Sequence, residues 1–221
     1  MQHGTAALLL AHLNPVTNTH IHIISYLESL YNTVYIFPVR FVECDREINT
    51  KSFPFSYDLR RAMIESEYRN ARRIVVLPDY TFYAPFLRYL PPLISPYSWI
   101  LRNNIIRNVS ERKLVTYTGD LVERIALKLY HLNPVKANRM EVSASSIKQM
   151  MYAQAREEKN SKCHGQENYE RWQKNVPLGV FRIIKDNWAI VSRFASSQDR
   201  TLKILGTKFP IQGFFLSRRF L

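Results

Sequence analysis

Cysteine and long apolar runs are both scarce in this 221-residue sequence, and each shortage excludes a class of protein. Cys44 and Cys163 lie far apart and belong to no paired metal-binding spacing, so we expect no zinc site and a reducing compartment. No apolar run approaches the roughly 20 residues of a membrane span. The apolar run 6–13 lacks the basic start of a signal peptide. We therefore expect a soluble, cytoplasmic protein.

Acidic side chains are also few. The chain has 18 Asp and Glu against 31 Lys and Arg, which gives a formal net charge of +13. This excess indicates anionic partners such as nucleotides, RNA or an acidic surface. A hydrophobic content of 46% is ordinary for a folded protein and argues against wholesale disorder.

The amino-terminal residues are patterned as a strand, a tight loop and a helix. The nearly all-apolar run 5–10 is typical of a strand buried on both faces of a parallel sheet, and Asn14-Pro15 ends it. Helical spacing starts at Thr19. A polar loop between such a strand and helix is where open α/β sheets bind ligands, and a helix amino end favours phosphate. Three polar residues fall at this point: Thr17, Asn18 and His20.

Alternation of strands and helices continues along the chain. Further strands are predicted at 33–39, 72–79, 113–120 and 140–142, with a turn at 133–139. Helices are predicted at 57–68, 97–109, 121–130 and 143–156. This order predicts an α/β fold, a Rossmann-like, doubly wound parallel sheet of five strands. We expect an α/β domain at 1–156 with a helical insertion at 80–112, followed by a helical and basic extension at 157–221.

The loop after the first strand resembles a known motif. Residues 15–20, Pro-Val-Thr-Asn-Thr-His, resemble the H/T-x-G-H loop of the nucleotidyltransferase superfamily, which includes nicotinamide mononucleotide and phosphopantetheine adenylyltransferases and several cytidylyltransferases. Thr19 and Ala11 stand where that loop usually has glycine. The resemblance implies that His20 binds the α- and β-phosphates of ATP, that Thr17 contacts the reacting phosphates, and that Asn18 adjoins the nucleotide. His12 and His22 lie off the motif, and we expect them to pack or to belong to loops.

A second motif, Val-Ser-Ala-Ser-Ser-Ile-Lys at 142–148, resembles the I-S-S-T-x-I-R signature of the same superfamily. Hydroxyls and open N–H groups at a helix start hold a pyrophosphate, and a cation one turn later neutralises it. The resemblance implies this role for four residues: Ser143, Ser145, Ser146 and Lys148. Lysine in place of arginine keeps the charge and loses the bidentate fork. The alternative is an ordinary serine cap with a solvated lysine.

Weaker matches point to the acceptor. Residues 53–64 resemble a segment of archaeal-type nicotinamide mononucleotide adenylyltransferases, with Arg60 at the arginine position, and 172–177 resembles their W-x-x-x-V-P helix. Arg40 and Lys51 flank the loop after the second strand, where relatives contact an acceptor phosphate. Each is otherwise a solvated charge.

A short turn after the fourth strand completes the candidate site. Gly119-Asp120 resembles the turn near the adenine and ribose of the nucleotide, although Gly-Asp is also a common turn.

Taken with its residues, the resemblance implies adenylyl transfer from ATP to a phosphate-bearing acceptor, nicotinamide mononucleotide first. Phosphopantetheine adenylyltransferase-like or cytidylyltransferase activity is the alternative. Mg²⁺ would accompany the triphosphate and needs no dedicated protein cage, so we predict no metal ligands in the chain. A rival hypothesis is a non-catalytic protein of this fold that binds RNA or a ribonucleoprotein.

The tail at 187–221 carries too many apolar residues for a solvated arm. We expect it to pack on the domain or on a partner, with its basic charge facing an anion. That anion would be RNA, an acidic partner or the acceptor. A homo-oligomer is also compatible with the sequence.

Overall fold

The computed structural model describes residues 2–69, 71–118, 121–136, 143–160, 170–204 and 207–215. The strands of this described part are β1 (Gln2–Ala11), β2 (Tyr31–Pro38), β3 (Arg40–Glu43), β4 (Arg46–Glu47), β5 (Ile74–Val76), β6 (Thr81–Tyr83), β7 (Lys113–Thr118), β8 (Pro134–Lys136), β9 (Thr201–Ile204) and β10 (Thr207–Pro210).

Helices connect these strands. They are α1 (Asn18–Leu30), α2 (Tyr57–Glu67), α3 (Pro96–Arg107), α4 (Leu121–Leu129), α5 (Ala144–Asn160), α6 (Glu170–Gln173), α7 (Leu178–Asp186) and α8 (Trp188–Ala195), with a 3-10 turn at Phe86–Tyr89. Within the described ranges, none of these helices is both long and apolar enough to cross a membrane.

The central sheet has five parallel strands in the order β5-β2-β1-β7-β8. The chain moves outward from β1 in one direction, returns, and moves outward in the other, which is the doubly wound arrangement. The predicted Rossmann-like α/β fold is therefore confirmed.

The middle strand, β1, is buried on both faces, as its apolar run predicts. Ala7 and Leu9 belong to one core cluster, with α1, α2, α5, α7 and α8 packed over it. Leu8 and Leu10 belong to a second cluster, with α3 and α4 on that side. Helices thus cover both faces of the sheet. The edge formed by the carboxyl ends of its strands is left uncovered by these helices, and polar side chains lie there.

The fifth strand of the sheet differs from the sequence prediction. β8 pairs with residues Thr116 to Thr118 of β7. The turn predicted for 133–139 is therefore wrong for residues 134–136, which form β8. Pro134 is accommodated because it is the first residue of a strand at the sheet edge. Three residues are too few to show a strand period. The strand predicted at 140–142 lies outside the described residues.

The insertion at 80–112 is not entirely helical. β6 pairs in parallel with β3, and β3 pairs with β4, so a small second sheet forms beside the main one. Phe82 of β6 stacks with Phe41 of β3 at 5.4 Å between ring centres. Aromatic packing therefore explains why this stretch, predicted as helical, begins with a strand.

The carboxyl-terminal residues pack on the domain, which is one of the two places we expected. Val191 of α8 is buried in the first core cluster, and Trp188 stacks on Trp172 at 5.7 Å. Phe209 and Phe214 are buried in the second cluster. The boundary at 156 between domain and extension stays a prediction.

Candidate active site

A cavity of about 610 Å³ opens at the carboxyl end of β1, beside the point where the strand order reverses. Its floor is the end of β1 with the loop that follows, and its sides are residues 51–53, the start of α5 and the β9–β10 hairpin. The cavity thus joins segments from both ends of the chain. Among the sequence-predicted site residues it is lined by His20, Lys51, Ser145 and Lys148.

His20 lies at the third position of α1 and takes part in a reciprocal cap. The Thr17 backbone N–H donates to His20 Nδ1 at 3.0 Å, and the His20 N–H donates to Thr17 Oγ1 at 3.4 Å. Because Nδ1 accepts this bond, the ring proton of the neutral imidazole is on Nε2. Burial, and secondly the charge of Lys148, lowers the pKa of His20 to about 4. His20 is thus a neutral N–H donor near pH 7.

Thr17 and Asn18 are held by the protein itself. Thr17 is 1% exposed, lies off the cavity wall and caps α1. The Asn18 side chain donates to the Lys174 carbonyl at 2.9 Å, which ties α1 to the segment before α7. Both residues therefore fix the position of His20, and their contact with a nucleotide stays a prediction.

Lys148 reaches across the cavity from α5 to the loop after β1. Its Nζ donates to the Asn14 carbonyl oxygen at 2.6 Å. The Asn14 side chain in turn pairs with the Phe55 backbone, donating from Nδ2 at 2.8 Å and accepting at Oδ1 at 3.2 Å. Burial, and then the charge of Lys208, lowers the pKa of Lys148 to about 7, while Asp199 opposes that shift.

The serines before Lys148 have different positions. Ser143 Oγ accepts from the Ser146 N–H at 3.1 Å, and Ser146 Oγ donates to the Ser143 carbonyl at 2.7 Å, so these two cap the start of α5. Ser145 is exposed and lines the cavity. The arrangement leaves Ser145 facing the same space as His20 and Lys148.

Arg60 is 2% exposed and lies away from the cavity lining. Its Nη1 donates to the carbonyls of His12 and Val39, each at 2.8 Å, and its Nη2 pairs with Glu47 at 2.9 Å. The guanidinium therefore joins the carboxyl ends of β1 and β2 beneath the site. Its predicted role in binding substrate would have to act through these strand ends.

Two other predicted residues, Arg40 and Lys51, lie elsewhere or are already bonded. The Arg40 guanidinium lies 4.9 Å from the Tyr57 ring centre and is absent from the cavity lining. Lys51 lines the cavity, but its Nζ donates to the carbonyls of Ala195 and Ser197 at 3.1 and 2.7 Å. Gly119 and Asp120 lie outside the described residues.

Sequence reasoning missed His12, which also lines the cavity. Its ring stacks on Phe53 with centres 4.5 Å apart and planes 13° from parallel. Burial, followed by the charges of Arg60, Lys148 and Lys208, lowers the pKa of His12 to about 3. The available signal was its position directly after β1, where a polar side chain faces the ligand side of an open sheet.

Further lining residues come from distant segments and gave no local signal. Tyr152 of α5 donates from its hydroxyl to the Lys51 carbonyl at 2.7 Å, and burial raises its pKa, so the phenol stays a donor. The carboxyl-terminal part contributes the remaining charged side chains: Asp199, Lys203 and Lys208.

The parallel sheet, with its cavity at the switch point and a histidine at the start of α1, is a Rossmann-like α/β fold. Solved adenylyltransferases share it. A bifunctional NMN adenylyltransferase/ADP-ribose pyrophosphatase from Francisella tularensis, complexed with AMP and a manganese ion, superposes with a TM-score of 0.62 at 11% identity over 87% of this chain. The match covers 52% of that protein, so this chain spans about half its length.

A second solved structure is similar over nearly its whole length. The nicotinic acid mononucleotide adenylyltransferase of Plasmodium falciparum, complexed with NaAD, has a TM-score of 0.53 and 10% identity, covering 85% of this chain and 98% of that one. No protein-family model and no curated protein matches the sequence. At these identities the similarity establishes the fold.

Proposed function

We propose that this chain is an adenylyltransferase that moves an adenylyl group from ATP to a phosphate-bearing acceptor, most specifically nicotinamide mononucleotide. The observation that carries the proposal is the convergence of His20 and Lys148 on one cavity. They lie 128 positions apart in the sequence, on the two motifs that resemble the superfamily, and both face the switch point of the sheet.

The reaction needs no protein nucleophile. An acceptor phosphate oxygen attacks the α-phosphorus of ATP, the bond from that phosphorus to the bridging oxygen breaks, and pyrophosphate leaves with the electron pair. The protein contributes alignment and stabilisation of charge. His20 Nε2–H donates to a phosphate oxygen. Lys148, with Ser145 beside it, stabilises the departing pyrophosphate.

Mg²⁺ fits this proposal as a companion of the triphosphate, where it neutralises phosphate charge. Among the described residues no group of three His, Cys, Asp or Glu side chains could hold a metal. Mg²⁺ commonly binds through substrate phosphates and waters with few protein ligands, so this donor set is compatible with it. The Asp199 carboxylate is already bonded to the Ser52 and Thr201 hydroxyls.

The choice of nicotinamide mononucleotide rests on two sequence resemblances, at 53–64 and 172–177, and both segments have structural roles near the site. Phe53 lines the cavity beside His12, and the Asn175 carbonyl accepts from the Asn18 N–H at 3.0 Å at the start of α1. Phosphopantetheine adenylyltransferase-like or cytidylyltransferase activity is the alternative. RNA binding has no comparable support, and two aromatic residues of the tail, Phe209 and Phe214, are buried in the second core cluster of the domain.

Incubation with labelled ATP, Mg²⁺ and a panel of phosphorylated acceptors tests the proposal. We expect labelled dinucleotide and an equal amount of pyrophosphate with nicotinamide mononucleotide. Lys148→Ala should reduce turnover and should weaken the binding of ATP more than the binding of the acceptor. Lys148→Arg should retain activity because it restores the bidentate fork. Lys128→Ala, which removes an exposed lysine of α4 outside the described cavity lining, is the control. The proposed function would be overturned if the protein showed no transfer to any acceptor and no Mg²⁺-dependent thermal shift with ATP.

A further inference from the structure

The β9–β10 hairpin lies outside the central sheet and yet forms one side of the cavity. Its antiparallel register places Lys203 directly opposite Lys208. Directly opposed residues of an antiparallel pair project from the same face, and like charges in that position destabilise the pair. Both lysines line the cavity, so their shared face is the one that a ligand would meet.

Lys208 is held in place by contacts with the loop before α2. Its Nζ donates to Ser52 Oγ at 2.8 Å and lies 3.7 Å from Asp199 Oδ2. Ser52 Oγ donates to the same Asp199 oxygen at 2.7 Å, and the Ser52 side chain is buried. The ammonium therefore has a defined position before any ligand arrives, which lowers the cost of using it for binding.

The charge around the cavity is strongly one-sided. Its described lining carries four lysine side chains, from Lys51, Lys148, Lys203 and Lys208, against the single carboxylate of Asp199; the pKa of Lys148 is lowered to about 7, so its charge is partial near neutral pH. Lys51 is committed to two carbonyls near the end of α8, and Lys148 to the Asn14 carbonyl. The Lys203 ammonium makes no hydrogen bond or ion pair with another described residue. A bound anion between the hairpin lysines would remove their mutual repulsion.

We propose that Lys203 and Lys208 form an anion subsite that binds a phosphate group of the ligand in this cavity. The subsite deepens the proposed function and rests on it for the kind of anion, a phosphate. It lies on a part of the chain that neither sequence motif covers. A bound phosphate group would also explain why two lysines, Lys203 and Lys208, occupy directly opposed positions of one short hairpin.

Binding of inorganic pyrophosphate, measured by titration calorimetry at low salt, tests the subsite. Lys203→Gln and Lys208→Gln should each weaken affinity about 10-fold, the effect of losing one charge-assisted hydrogen bond. Arg200→Gln is the control, because it removes the same charge from an exposed residue of the same segment that does not line the cavity. We expect it to change affinity less than about twofold at the same salt.

The melting temperature without ligand separates binding from structure. Lys203→Gln should leave it unchanged or raise it, since the substitution removes a repulsion and breaks no bond. A lower melting temperature of Lys203→Gln would overturn the subsite. So would a pyrophosphate affinity in both lysine variants equal to that of the unaltered protein, or the absence of any pyrophosphate binding. Hairpin-dependent binding without adenylyl transfer would leave the subsite standing and remove the proposed function.

Discussion

His20 combines a structural and a chemical role in one side chain. Its Nδ1 accepts the Thr17 N–H at the start of α1, and this bond leaves the Nε2 proton on the side of the ring available to a ligand. The side chain that caps the helix therefore also presents a donor of fixed tautomer to the cavity. Substitutions at this position must be designed to separate the two roles.

His20→Ala should reduce turnover by about 10²- to 10⁴-fold, because it removes one preorganised donor to the phosphates. It should also cost about 1 kcal/mol of unfolding free energy, since the Thr17 N–H loses its partner. His20→Gln is the matched variant, because glutamine at this position can complete the same cap. Its melting temperature should recover while its turnover stays low. A folded His20→Ala protein with an unchanged rate would contradict the role.

Stability should fall on mild acidification because two half-buried histidines, His12 and His20, resist protonation. The pKa is lowered from 6.5 to about 3 for His12 and to about 4 for His20. Below pH 6.5 the unfolded chain takes up these protons while the folded one does not, so unfolding becomes more favourable. The stabilisation is complete above pH 6.5 and is lost as the pH falls toward the folded pKa values.

Denaturant titrations between pH 7.5 and 4.5 measure this loss, which should reach about 1.4 kcal/mol per pH unit for each histidine. His12→Phe keeps a ring against Phe53 and removes one titrating group, so its pH slope should be shallower. Equal slopes for the variant and the unaltered protein would show that His12 does not contribute.

Arg60 shows how one side chain fixes several elements at the base of the site. It projects from α2 and satisfies carbonyls at the ends of β1 and β2 while pairing with Glu47 of β4. Burial lowers the pKa of Arg60, and Glu47 opposes that shift by its charge and hydrogen bond. Four elements thus depend on one buried guanidinium, which the fork of an arginine suits better than an ammonium.

Arg60→Ala should destabilise the protein by about 3 to 5 kcal/mol, because it removes the ion-pair partner of the half-buried Glu47 carboxylate and the donor to two strand-end carbonyls. Arg61→Ala is the control. It breaks only an exposed pair with Glu65, and should cost less than about 1 kcal/mol. Urea unfolding of both variants measures the difference. Near-equal losses would show that Arg60 is not the structural link between these strand ends.

At the scale of the whole molecule, the two ends of the chain meet at the cavity. The loop after β1 supplies its floor, and one side is supplied by Asp199, Lys203, Thr207 and Lys208. The basic tail therefore packs on the α/β sheet and its helices: Phe209 and Phe214 enter the second core cluster, and Lys203 and Lys208 line the cavity. This placement favours a role in the proposed reaction over a role as an RNA-binding arm.

Truncation after Lys185 should abolish turnover and lower the melting temperature, because it removes α8, the hairpin and the Trp188 stack on Trp172. We expect no RNA binding that depends on the tail. Filter binding to mixed RNA across a salt series measures this on the intact protein and on a full-length Lys203→Gln/Lys208→Gln variant, which keeps the fold comparable. Tight binding that falls steeply with salt and requires these lysines would favour the RNA hypothesis.

Much of the fold followed from local patterns in the sequence. The apolar run of β1, the break at Asn14-Pro15 and the helical spacing after Thr19 are contiguous, so they predicted strand, loop and helix correctly. The short β8 and the strand β6 were missed. β8 pairs with β7, and β6 pairs with β3. Each of the two strands has only three residues, which is too short to show the alternating pattern of a strand.

Within the candidate site, the sequence by itself singled out His20, Ser145, Lys148 and Lys51, because motif spacing and a helix start are local features. Tertiary structure decided what the other polar residues do. The Arg60 side chain donates to carbonyls at the strand ends. Lys203 and Lys208 line the cavity although they lie near the other end of the chain. A buried guanidinium must find its partners, and those partners exist only once distant strands have paired. Local sequence patterns therefore determined the longer elements around β1, and packing between distant segments determined the short strands and which charges line the cavity.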